Sequence, residues 1–404
     1  MNNSWTRTSL GDICMFRAGT AFPKEFQGDI SGEIPFIKVS DLKHSANSLY
    51  IRHSANWVDM STVEHLKASL LYPGAIVFAK IGEGLKAERF RLVARPTCID
   101  NNLMGAIPQG VNTHFLYYLM VHTGVAHLVE GSALPYLRQS DLERIPVCVP
   151  PNDEQRRIAE VLGALDDKIE SNLRTISLSE SLILAHFSQL FNSGHVSAGT
   201  ALSDLMEVNP RYSLKRESLA IKVSMQDIPS DSPIINTHSV MPVGAGSRFS
   251  NGDVLFARIS PCLENGKTAV VDFLSGSEVG FGSTEFIILS PRGEISTTWI
   301  YALAREPNFR EACRQAMSGS SGRQRLSADF FSRYTIATPK EFDLVAFNKA
   351  TMPLLTLMGA RRDENQRLAQ LRDALLPELM SGRMRVDEAG HLVSEALDEE
   401  VADV

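Results

Sequence analysis

The sequence predicts an α+β chain. Two globular domains of mixed α/β structure, related by duplication, are each followed by a long helix, and the two helices pair as an antiparallel coiled coil. Three observations predict it: motifs that recur in one order in both halves, strand-rich texture in each half, and two seven-residue apolar patterns. Leu10-Gly11-Asp12-Ile13 answers Leu202-Ser203-Asp204-Leu205, and Ile37-Lys38-Val39-Ser40 answers Ile221-Lys222-Val223-Ser224. Pro73–Ile81 answers Asn251–Ile259, and Ser140-Asp141-Leu142 answers Ala328-Asp329-Phe330. Unequal offsets with a constant order are what diverged loops leave after duplication.

Taken in order, residues 1–151 form the first domain. Val77–Ile81 reads as a buried strand and Thr113–Glu130 as helical from its apolar spacing. The first long helix occupies 152–194. Asn152 serves as N-cap with Gln155 as its capping-box partner, Asp153 and Glu154 suit the positive end of the helix, and Phe191-Asn192-Ser193-Gly194 stops it. Its seam is Ile158, Leu162, Leu165, Ile169, Ile176, Ile183 and Leu190, with polar Asn172 and Ser179 between. The second domain spans 195–340, with strands at Val254–Ile259 and Phe286–Leu289 and helical sequence at Thr298–Met317. The second long-helix region is 341–386. Its seam runs Leu354, Leu357, Arg361, Glu364, Leu368, Leu371 and Leu375, and Pro377 and Gly382 end it. A helix over 153–191 spans roughly 58 Å at 1.5 Å per residue.

Composition sets the class. The chain has 404 residues, 44% hydrophobic and 22% charged, as in an ordinary globular protein, and no run suits a membrane helix or a signal peptide. Cys14, Cys98, Cys148, Cys262 and Cys313 are scattered, which points to reduced thiols in a cytoplasm and to no zinc site. The net charge is −7. Residues 387–404 hold seven acidic side chains and no Lys or Arg, so the rest of the chain is neutral and the tail reads as disordered.

No catalytic group assembles from the sequence. Asn209-Pro210-Arg211-Tyr212 departs from the Asn-Pro-Pro-Tyr loop of amino-methyltransferases and has no donor-binding glycine loop upstream. Gly82-Glu83-Gly84 and Gly244-Ala245-Gly246-Ser247 lack the Lys-Ser/Thr of a nucleotide loop and read as turns.

The stretch Gly131-Ser132-Ala133-Leu134-Pro135-Tyr136-Leu137-Arg138-Gln139-Ser140-Asp141-Leu142, followed by Pro150-Pro151-Asn152-Asp153-Glu154-Gln155, resembles the signature closing each recognition domain of Type I restriction–modification specificity subunits. Gly319-Ser320-Ser321-Gly322-Arg323-Gln324-Arg325-Leu326, Ser283-Thr284-Glu285-Phe286 and Leu375-Leu376-Pro377-Glu378-Leu379-Met380-Ser381-Gly382 are further similar elements. The second half lacks the Pro-Pro-x-x-Glu-Gln joint and has Pro339-Lys340-Glu341-Phe342 instead. The resemblance implies a non-catalytic subunit for phage defence, whose two target recognition domains each read half of a split double-stranded DNA site. The helices would dock two methyltransferase subunits that carry S-adenosylmethionine. Restriction–translocase subunits using ATP and Mg would join them.

Base readout requires forked side chains on loops that reach a groove, and phosphate contact any placed cation. The candidates are Lys38, Lys80, Lys86, Arg89, Arg91, Tyr136, Arg138 and Gln139 in the first half. In the second they are Lys222, Arg258, Asn265, Lys267, Arg323, Gln324 and Arg325. Lys38 and Lys222, in matched elements, suit a shared phosphate contact or structural role. Two other classes stand as alternatives: a duplicated protein–protein adaptor without DNA readout, and a methyltransferase or nuclease with a disguised site.

Overall fold

A computed structural model describes residues 5–44, 46–129, 135–191, 194–215, 218–320 and 323–398. The chain divides into two compact units. Unit 1 comprises 1–171 with 365–404, and unit 2 comprises 172–364. Each long helix therefore contributes one end to each unit, a division the consecutive boundaries of the sequence reading did not contain.

Each unit is built on the same pair of sheets. In unit 1, one sheet orders its strands Cys14–Ala18, Leu103–Pro108, Ile76–Ala79, Arg91–Val93, Tyr50–Ile51. Unit 2 repeats this as Glu207–Val208, Phe286–Ser290, Val254–Ala257, Thr268–Val270. The second sheet runs Trp57–Val58, Ile34–Ile37, Thr97–Ile99, Leu70–Leu71 in unit 1. In unit 2 it runs Ser239–Pro242, Leu219–Val223, Val279–Gly282, Ser247–Ser250. Both second sheets have one parallel central pair, Ile37 opposite Ile99 and Val223 opposite Gly282. The central strands Ile76–Ala79 and Val254–Ala257 are wholly buried, in keeping with their β-branched and aromatic content.

The backbone register corrects two sequence alignments. The Lys38 amide donates to Asp41 (2.7 Å), and the equivalent bond in unit 2 runs from the Ser224 amide to Asp227 (2.6 Å). Lys38 thus matches Ser224, and Lys222 falls two residues earlier. Two similar Lys-Val-Ser strings had masked the true frame, which the buried Leu42 and Ile228 beside those aspartates define. Likewise the Leu137 amide donates to Lys80 O (2.9 Å) as Leu326 does to Arg258 O (2.8 Å). Tyr136 therefore matches Arg325, and Leu142 matches Phe331, one residue from the alignment of Ser140-Asp141-Leu142 on Ala328-Asp329-Phe330.

The helix expected over Thr113–Glu130 ends at Thr123, where Gly124 takes φ +62°. The segment expected over Thr298–Met317 splits into Thr297–Arg305 and Pro307–Gln315, because Pro307 has no N–H to continue the first helix. The first long helix is Asn152–Leu190 and the second Glu341–Met380. The second passes through Pro377 and stops before Gly382 (φ +67°). The Gln155 side chain accepts from the Asn112 amide (2.9 Å) and donates to Pro150 O (2.9 Å) and Asn152 Oδ1 (3.1 Å). It thus fastens the helix start to the domain and does not close a capping box.

In unit 1, Ile158, Leu162 and Leu165 share a core with Leu368, Leu375 and Leu379, while Ile169 and Leu371 pack at its edge. The pairing is antiparallel. Asp166 meets Arg372 (2.6 Å), and Arg157, nearer the start of its helix, meets Asp387 beyond the end of the other. In unit 2, Ile176, Ile183 and Phe187 join Leu344, Phe347, Leu355 and Met358, with Leu190 and Leu354 at the edge. Leu357 lies outside these cores. The phase set by Phe347 and the buried Thr351 carries the seam through Leu355, Met358 and Arg362, one residue beyond the predicted 354, 357 and 361. The adjacent apolar pairs Leu354-Leu355 and Leu357-Met358 permit either reading from sequence.

Each unit also buries a carboxylate from the first long helix against a tyrosine and an arginine. Asp166 accepts from Tyr118 Oη (2.6 Å) and Arg372 (2.6 Å). Glu180 accepts from Tyr301 Oη (2.5 Å), with Arg305 at 3.6 Å. The acidic tail differs from expectation: Val386–Asp398 is a helix whose Val386, Ala389 and Val393 are buried in the unit 1 core. The rest of the tail, residues 130–134, Asn192, Ser193, Ser321 and Gly322 lie outside the described residues.

Candidate nucleic-acid interface

A cationic residue follows the central strand of each unit, and a later segment of the chain lays a second side chain beside it. In unit 1 this residue is Lys80, whose buried side chain places Nζ 5.8 Å from the Tyr136 ring centroid. Tyr136 itself is 54% exposed. In unit 2 it is Arg258, whose Nε lies 3.7 Å from Glu285 Oε2. Arg325, in the place of Tyr136, grips the same carboxylate by Nε (3.0 Å) and Nη2 (2.7 Å). These hydrogen bonds from Arg325 hold the Glu285 carboxyl below its ordinary range. Asn102 occupies the matching position in unit 1: its carbonyl accepts from the Lys80 amide (2.9 Å), as Glu285 O does from the Arg258 amide (3.0 Å).

The remaining candidates separate by what holds them. Arg138, Arg323 and Gln324 are exposed and have no side-chain partner among the described residues. Gln139 is exposed and bonds Glu143 (2.8 Å), Lys86 pairs with Glu83 (2.7 Å), Asn265 is exposed, and Arg89 is half-buried. Arg91 is committed to the fold. Its guanidinium donates to the carbonyls of Asn47, Phe90 (2.7 Å) and Leu42 (3.2 Å), and burial lowers its pKa. Lys267 Nζ is likewise tied to Met225 O (2.7 Å), and Lys38 Nζ to Gln27 (2.7 Å). Lys222 Nζ sits 3.9 Å from Met241 Sδ. Lys38 and Lys222 occupy different register positions, so no equivalent contact is common to both.

The sequence reading missed Glu285 as part of this site, along with a cleft of about 470 Å³ beside it in unit 2. Arg211, Arg248, Arg258, Ser247 and Thr284 line the cleft, and Phe286 and Ile288 are also in its wall. Asn209 opens it. Its positive φ (+53°) turns the chain off the strand, while its side chain accepts from the Ile288 amide (3.0 Å). Unit 1 instead continues its strand to Ala18 at this point. Gly246 lies so close that a Cβ would fall 1.9 Å from Gly282 O. The Asn209–Tyr212 segment is thus structural: Tyr212 Oη donates to the buried Asp253 (3.0 Å). No group of His, Cys, Asp and Glu among the described residues could hold a metal ion, and no helix among them is long and apolar enough to cross a membrane.

Two copies of one mixed α/β unit, each placing a cation beside a second side chain at the end of its central strand, define a duplicated two-unit α/β fold. Residues 2–177 match the Type I restriction modification DNA specificity domain. The chain is 26% identical over 182 residues to the Type I restriction enzyme MjaIX specificity subunit of Methanocaldococcus jannaschii, covering 44% of this chain and 41% of that one. It is 30% identical over 152 residues to the EcoAI specificity subunit of Escherichia coli, covering 35% and 25%. The matched segments thus span less than half the length of either relative. The crystal structure of a Type I restriction–modification S subunit from M. genitalium shares the fold, with a TM-score of 0.55 and 15% identity over 94% of this chain and 97% of that one.

Proposed function

We propose that this chain is the sequence-reading, non-catalytic subunit of a Type I restriction–modification complex. Each unit reads one half of a split double-stranded DNA site. The observation that carries the reading is the matched pair of sites at the strand ends, Lys80 with Tyr136 and Arg258 with Arg325: one framework position bearing different chemistry in each copy. Equivalent placement suits one docking geometry, and different side chains suit different half-sites. Arg138, Arg323 and Gln324 stand free on the same returning segments to reach base edges. Methyl transfer and cleavage belong to partners: two methyltransferase subunits with S-adenosylmethionine, and restriction–translocase subunits with ATP and Mg. The chain works in the cytoplasm, where its target DNA is.

The test is adenine-methylation mapping in cells expressing the neighbouring methyltransferase with and without this chain. The expected result is a split motif of fixed gap that appears only with the chain. The same motif without it, or no motif in either case, overturns the proposal and favours an adaptor role.

A further inference from the structure

At one matched position the two units differ in charge design. Unit 1 places Asn102, Lys80 and Tyr136 there, a single cation without a carboxylate. Unit 2 places Glu285, Arg258 and Arg325, two cations around one anion. Among polyanion-binding surfaces a carboxylate is a liability, because by charge alone it opposes every DNA sequence equally. Its geometry is that of a brace. Arg325 spends Nε and Nη2 on Glu285 while Nη1 lies near Arg323 O (3.4 Å), so the guanidinium plane is fixed although its side chain is 41% exposed. Arg258 leans on the same carboxylate, and its buried Nε has no hydrogen-bond partner among the described residues. Its side chain also lines the cleft with Arg211 and Arg248.

We propose that Glu285 is a positioning residue for specificity in unit 2. It holds Arg325, and Arg258 in the wall of the cleft, in one orientation, so that their remaining N–H groups meet the acceptors of one base-pair edge and no other. The inference rests on the DNA-reading proposal and adds to it a residue that never touches DNA favourably itself. Its consequence is a pair of opposite signs. Loss of the charge strengthens binding to any DNA, and loss of the brace weakens the preference for the right one.

The experiment uses the full chain assembled with its methyltransferase partners, titrated with a duplex carrying the mapped motif and with one lacking it, across a salt series. Glu285→Gln keeps the shape and removes the charge. Nonspecific affinity should rise and its salt dependence steepen by about 0.9 in log–log slope, while the ratio of specific to nonspecific affinity falls roughly five- to a hundredfold. Glu285→Asp, which restores the carboxylate on a shorter stem, should recover part of that ratio. An unchanged ratio in Glu285→Gln overturns the inference. So does a lowered melting temperature with both affinities reduced together, the mark of a merely structural residue. If the wild-type assembly shows no preference for the motif, the DNA-reading proposal itself fails, and that outcome is separable because it appears before any substitution is made.

Discussion

Asp166→Ala should destabilise unit 1 by about 3 kcal/mol, a figure that follows from what its carboxylate holds. The side chain is 5% exposed and accepts from Tyr118 Oη and Arg372 Nη1, both at 2.6 Å. Tyr118 is itself buried, so its hydroxyl would be left unpaired at about 1–3 kcal/mol. An arginine stranded in a fully buried pair costs about 3–5 kcal/mol. Arg372 keeps 28% of its side chain in solvent and retains Asp373 at 2.8 Å, so less than half of that applies. Asp166→Asn, which preserves an acceptor for Tyr118, should cost less than Asp166→Ala. The double variant Asp166→Leu with Arg372→Met should also be milder than Asp166→Ala, because no charge is left unmatched. Urea unfolding followed by hydrogen exchange over 152–171 reads unit 1 separately from unit 2. A loss under 1 kcal/mol for Asp166→Ala, or a double variant as damaged as the sum of its parts, would refute the reasoning.

Further outcomes follow from other contacts. Arg91→Ala should cost about 2–3 kcal/mol through three unpaired carbonyls and leave DNA affinity per folded molecule unchanged; a selective loss of DNA affinity would restore it to the interface. Asn209→Gly tolerates φ +53° and should lose about 1 kcal/mol for the missing bond to Ile288, while Asn209→Ala should lose more through added backbone strain; equal melting temperatures would contradict this. Deleting residues after Arg385 exposes the apolar contacts of Val386, Ala389 and Val393 and should lower unit 1 stability by about 3 kcal/mol, with exchange in unit 2 unaltered. The Glu285 carboxyl, held down by Arg325, stays ionised as pH falls to the ordinary glutamate value of 4.5, and the stabilisation from its pairing is lost only below it; carboxyl NMR showing titration at or above 4.5 would contradict that.

The duplication was legible because burial and turns constrain sequence: Leu10 and Leu202, like Phe78 and Phe256, answer one another in buried framework positions. The first helix was legible because Ile158, Leu162, Leu165, Ile169, Ile176 and Ile183 keep one seven-residue frame. The second was ambiguous where Leu354-Leu355 and Leu357-Met358 offer adjacent stripes, and only packing against Phe347 and Thr351 selects one. At the site, cationic residues were legible as types but not by their attachments. Nothing in the sequence distinguishes Arg91, spent on three carbonyls, from Arg323, which is free among the described residues. Glu285 was quoted only for its motif, since the pairing with Arg325 spans 40 residues. The helix over Val386–Asp398 was hidden by the acidity of its solvent face, although Val386, Ala389 and Val393 keep helical spacing.

The discontinuous composition of unit 1 gives the newly made chain an order of events. Residues 1–171 leave the ribosome with Ile158, Leu162 and Leu165 awaiting the apolar face of 365–380, and the whole of 172–364 must be synthesised before that face exists. At about 5–20 residues per second the wait is roughly 10–40 s. During it unit 2 completes most of its sheets, while the first half carries an uncovered apolar strip. A chaperone, or crowding by other nascent copies, meets the protein in that interval, so synthesis rate and temperature should govern soluble yield more than the stability of the finished molecule does.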